Sequence, residues 1–211
     1  MESNWAAENL QTIRTLMERS AVYRRALAPV MTYAGVVGII GGAAGQLLGM
    51  TNGGVSVVYW MLVSLVAISG AFLLVRRQAL KSRGPFWSPP TRRIAQAMFP
   101  PLLIGCVVGV VMASVSIGAP TGSSDLLVLM PGWCLLYGLA LNAAGFFMPR
   151  GIRLFGWFFI IAGLGLLFGL VRTQAFSPHL LMGVLFGCSH LAYGIYLYFT
   201  ESRKNESLSE T

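Results

Sequence analysis

Charge is what this sequence has least of. Charged residues fill 10% of its 211 positions, against about 25% in a typical soluble domain, and that shortage excludes an ordinary water-soluble globule. Histidines number two and cysteines three. Cys106, Cys134 and Cys188 all sit in apolar runs, with no CxxC spacing and no His and acid cluster beside them, so they read as small buried hydrophobes and no metal is expected. There is also no HExxH, no GxSxG, no paired carboxylates within apolar runs, no phosphate loop and no CxxCH haem attachment. These absences point away from an enzyme and give no reason to expect a cofactor.

What is present is apolar length, since hydrophobic residues make up 55% of the chain. Uninterrupted runs cover 26–50, 55–75, 94–117, 126–148, 154–171 and 179–199, each close to the roughly 20 residues that cross a hydrocarbon core about 30 Å thick. Backbone polar groups in lipid must be satisfied within a helix or a closed barrel, and barrel strands would alternate where these runs do not. The expected fold is all-α: a polytopic membrane protein with a six-helix transmembrane bundle. Glu2, Glu8 and Glu18 interrupt the first 25 residues, so a cleaved signal peptide is not expected and the first run reads as an uncleaved anchor.

The net charge of +8 suggests nucleic acid until its distribution is followed. Arg14, Arg19, Arg24 and Arg25 precede the first run. Arg76, Arg77, Lys81, Arg83, Arg92 and Arg93 lie between the second and third, Arg150 and Arg153 between the fourth and fifth, and Arg203 and Lys204 after the sixth. Of the 15 basic residues only Arg172 falls on the other side. Positive charge collects on the cytoplasmic side, so both termini are expected in the cytoplasm of a cell whose plasma (bacterial inner) membrane holds the chain. Anionic headgroups at that face are the expected partner of the basic residues, and nucleic acid is unnecessary.

Three segments follow from this reading: a cytoplasmic or interfacial amphipathic helix in 1–25, a transmembrane domain in 26–200, and a disordered cytoplasmic tail in 201–211. In the first, Ala6, Leu10, Ile13, Met17 and Ala21 form an apolar stripe at helical spacing. That helix either lies in the interface or docks on a partner. Residues 78–93 read as the longest loop, broken by Gly84, Pro85, Pro89 and Pro90, with Phe86 and Trp87 as interfacial anchors.

The six runs suggest three tandem helical hairpins. Residues 136–147 and 185–196 align without gaps, bringing Gly138 and Gly145 over Gly187 and Gly194. Such copies would be parallel, related by an axis along the membrane normal, and no inverted repeat is visible. Small residues also recur at spacings of three and four. Gly38, Gly42, Gly45 and Gly49 in the first run, and Gly183 and Gly187 in the sixth, read as packing seams, within the bundle or against a second copy of the chain.

His190 is the only ionisable group near the middle of a run, on a stripe with Gly183, Gly187 and Gly194 that turns it toward other helices. Burial disfavours an imidazolium, so a neutral ring is expected. Asn142 holds the corresponding place beside Gly138 and Gly145. If the two helices meet by their glycine faces, Tyr137, Asn142, His190 and Tyr193 surround one polar cavity, the candidate substrate-binding site; otherwise these residues lock helices together. His179 reads as a helix start at the outer surface, about 16 Å along the axis from His190 at 1.5 Å per residue. Asp125 reads as an acid complementing a helix N-terminus. Two functional expectations result. One is a non-enzymatic sensor, accessory subunit or scaffold with a cytoplasmic protein partner; the other is a small-solute transporter or channel.

Overall fold

The structure, a computed structural model, describes residues 26–81, 87–116, 124–169 and 177–209, and of residues 90, 124, 125 and 201–209 the backbone alone. The amphipathic stretch in 1–25, Arg172 and the Asp125 side chain lie outside the described residues. Among the described residues there are helices and no strands. Six of the helices are long and apolar enough to cross a membrane. They are α1 (Ala26–Leu47), α2 (Gly53–Lys81), α3 (Pro89–Ser116), α4 (Ser124–Ala144), α5 (Arg150–Phe168) and α6. The last begins as Pro178–Met182, widens into a π turn at Gly183–Cys188 and continues as Ser189–Ser209.

Three helix ends differ from the sequence reading. Helix α3 starts at Pro89, inside the loop expected over 78–93. A first-turn proline gives up only an N–H that has no partner within the helix, so it opens a helix as readily as it breaks one. Helix α2 runs on to Lys81 because Arg76, Arg77 and Gln78 are good helix formers. Helix α6 continues through Ser209, where the sequence reads a disordered tail from 201. Of the cysteines read as buried only Cys134 is; Cys106 and Cys188 are exposed on α3 and α6.

The described basic side chains sit at one end of the helices: the end of α2, the starts of α3 and α5. Arg203 and Lys204 of α6 continue that end in sequence. We call it the basic end and its opposite the far end. Antiparallel neighbours follow one another along the chain, and α6 returns to α1. The α1 to α6 contact descends in order: Thr32 against Gly194, Gly35 against Leu191, Gly38 against Gly187, Gly42 against Gly183, and Gly45 against His179. A Cβ placed on Gly38 would stand 2.7 Å from the Gly187 Cα, and one on Gly42 2.7 Å from the Gly183 Cα. Carbon atoms prefer about 3.5–4.0 Å, so this contact is backbone on backbone. The α4 to α5 contact has the same build. A Cβ on Gly138 would stand 2.7 Å from the Gly156 carbonyl oxygen, and one on Gly156 2.8 Å from that of Gly138.

Gly49 is the exception among the seam glycines. It lies past the end of α1 with a φ of 59°, and nothing comes within 4 Å of where its Cβ would be. Its backbone takes the left-handed conformation that stops the helix, with its N–H donated to the Gln46 carbonyl at 3.2 Å. Gly49→Ala is therefore expected to destabilise the protein by about 1 kcal/mol through backbone strain alone, read as a drop in the thermal midpoint in detergent. An unchanged midpoint would show that this turn relaxes freely.

Burial is uneven. The core lies around α4, where Leu126, Met130 and Cys134 pack with Trp60, Phe159 and Met182. In the most apolar 18-residue stretch of each helix, 44% of the residues of α1 and of α4 are buried, against 11% in α2 and 17% in α3. Leu62, Leu65 and Val66 of α2 and Ile104, Val107 and Val111 of α3 face outward.

Candidate functional site

His190 projects from α6 just past the π turn into the angle between α4 and α5, and it is only 4% exposed. Its Nδ1 lies 2.5 Å from the Phe186 carbonyl oxygen. A carbonyl can only accept, so Nδ1 carries the proton of the neutral ring and Nε2 is left as an acceptor. The Tyr137 hydroxyl, 2.6 Å from Nε2, then donates to it. Four aromatic rings enclose the imidazole: Tyr137 at 5.4 Å between centroids, Phe155 edge-on at 5.0 Å, Phe159 at 5.5 Å and Phe186 stacked at 6.4 Å. The π turn contributes directly, since Phe186 lies within it. Ser189 beside it donates its hydroxyl back to the Leu185 carbonyl.

Of the four residues expected around one cavity, the structure brings Tyr137 and His190 together. Tyr193 stacks on Phe155 at 4.7 Å and 13°, its hydroxyl over Gly151, and Phe155 touches the imidazole as well. Asn142 lies five residues beyond Tyr137, a turn of about 140° around α4 at 3.6 residues per turn. Its backbone N would stand 2.8 Å from a Cβ on Gly156, which places it toward α5. Its Nδ2 is buried with no hydrogen-bond partner among the described residues. The geometry behind this separation is that the glycine faces of α4 and α6 do not meet. Gly138 and Gly145 look to Gly156 and Arg153 of α5, and Gly183, Gly187 and Gly194 look to α1.

A second polar cluster went unread in the sequence. His179 does start a helix behind Pro178, but it is 3% exposed, covered by α1 and α2 at the far end. Its ring lies against Gly45, where any Cβ would collide with Nδ1. Trp60 donates its indole N–H to Nδ1 at 3.1 Å. Nε2 has the Ser56 hydroxyl and the Met50 carbonyl each at 3.4 Å. Nearby, Tyr59 donates its hydroxyl to the Gly41 carbonyl at 2.6 Å, and Ser177 bonds Gln46. The far ends of α1, α2 and α6 are thereby tied by side chains. Ser56 and Trp60 stand one turn apart on α2, a spacing that puts them on one face; it is the one local signal that pointed at a buried partner.

Among the described residues no three His, Cys, Asp or Glu side chains are gathered as metal ligands would be. Both nitrogens of both histidines face protein partners, so in this arrangement the rings hold helices together and offer no free lone pair to a solute. Comparison with protein-family models, with curated proteins and with solved structures finds no match.

Proposed function

We propose that the chain is an integral membrane protein of six transmembrane helices that works without catalysis, as a sensor, accessory subunit or scaffold. The observation that carries this reading is the closure of the two histidine sites, whose ring nitrogens are all directed at groups of the protein itself. The outward apolar faces of α2 and α3 suit lipid. The gathering of basic residues at one end supports a cytoplasmic location for both termini and contact with anionic headgroups of the plasma (bacterial inner) membrane. The three-hairpin reading draws support from the glycines of α4 and α6, each facing the next helix round; Gly70 of α2 departs from it by facing Tyr33 of α1.

The part offered to a protein partner is the amphipathic stretch in 1–25. Affinity purification of the full chain and of a variant lacking residues 1–22 tests this: the full chain is expected to retain a protein that the shortened chain loses. Identical retained proteins, or none with either, would remove the main support for the reading.

A second reading, a small-solute transporter or channel, is favoured by one observation, the buried and unpartnered Nδ2 of Asn142. A buried amide left without a partner costs about 1–3 kcal/mol, a cost that a solute acceptor would relieve. Uptake measured in vesicles with native protein and with Asn142→Leu separates the readings, since a scaffold gives no uptake with either.

A further inference from the structure

We propose that His179 is an acid-sensitive latch joining the far ends of α1, α2 and α6. The indole N–H of Trp60 can only donate, and it points at Nδ1 from 3.1 Å. The ring in this arrangement therefore carries its single proton on Nε2, which has two oxygen acceptors, Ser56 Oγ and the Met50 carbonyl, within reach at 3.4 Å. A second proton has only Nδ1 to occupy. There it meets the Trp60 N–H head-on, donor against donor, while the ring gains a charge inside a junction that is almost sealed. The Trp60 bond is lost, and the tie between α2 and α6 is left to the longer contact of Nε2 with Ser56.

No described side chain around the ring carries a charge to compensate. From α1 it meets Gly45, from the following turn the Met50 carbonyl, and from α2 Ser56, Tyr59 and Trp60. Tyr59 is the one titratable neighbour among these, and its hydroxyl is committed to Gly41. Asp125 opens α4, which touches the first turn of α6, so it enters the test as a variant. The ring packs directly against the backbone of Gly45, in the space a Cβ there would fill. The proposed orientation of the chain decides only which compartment supplies the proton; the latch itself rests on the hydrogen bonds.

The test is thermal unfolding of the full chain in detergent at about pH 7.5 and about pH 5, on either side of the point near pH 6.5 where histidine in water takes up a proton. The native midpoint is expected to fall by about 5 °C in acid. His179→Asn keeps an acceptor for Trp60 without a group that titrates in this range, and is expected to lose less than about a third as much. Asp125→Asn is expected to keep the native response. Should His179→Asn not fold, Trp60→Phe serves instead: without the opposing donor, protonation meets less resistance and the acid loss shrinks by about half or more. An acid loss as large in the His179 or Trp60 variant as in the native chain overturns the proposal, as does a response abolished by Asp125→Asn.

Discussion

Gly187→Ala is expected to be strongly damaging for a one-carbon change, and Gly187→Leu to leave no monodisperse folded protein. The added Cβ would stand 2.5 Å from the backbone N of Ile39 and 2.8 Å from the carbonyl carbon of Gly38. Neither atom belongs to a side chain that can swing aside, so α1 and α6 must separate along their whole descending contact. Overpacking into a well-filled interior typically costs about 1–3 kcal/mol, and a backbone obstacle puts the alanine variant at the upper end. Alanine is otherwise the better helix former by about 1 kcal/mol, so the loss appears against a propensity gain. Gly165→Ala, with nothing within 4 Å of its Cβ, isolates that gain and is expected to be neutral or slightly stabilising. Thermal unfolding and size-exclusion profiles of the two variants side by side decide the matter. Equal behaviour would mean that the α1 to α6 contact is not closed in solution.

Removing either partner of the Tyr137 to His190 bond is expected to cost more than removing both would suggest. Tyr137→Phe leaves Nε2 facing aromatic carbon with no donor, and His190→Leu strands the phenol in the same place. An orphaned buried polar group costs about 1–3 kcal/mol. The double variant removes both needs at once and leaves only the Phe186 carbonyl, so its loss should fall short of the summed single losses by about 1–2 kcal/mol. Strict additivity would show that the two side chains are not coupled. The same variants address function: a folded His190→Leu protein that loses an activity the native chain has would shift weight to the transporter reading.

The sequence displays its helices openly because long apolar runs without alternation have few alternatives. Its helix ends are less legible, since the residues that mark them have two meanings. Pro89 opens α3, although proline also breaks helices, and Gly49 ends α1, although its spacing continues the row of Gly38, Gly42 and Gly45. Spacing along one helix gives the direction of a face and not the identity of the neighbour. The stripe that carries His190 turns it inward, yet nothing in it says that Gly183 and Gly187 meet α1 while the imidazole beside them meets α4 and α5. His179 was the least readable. Its partners Ser56 and Trp60 lie 123 and 119 residues back in the chain, and a histidine behind a helix-opening proline has the look of a surface position.

The pairing of α1 with α6 also sets an order of assembly. Helix α1 is the first of the six to be synthesised and α6 the last, so the glycine row on α1 waits through the making of four helices before its mate exists. During that interval its exposed backbone face is open to any other small-residue helix nearby, including the same row on another nascent copy. Chains stopped short of α6 should accordingly be the species that mispair, while arrival of α6 covers the sticky face.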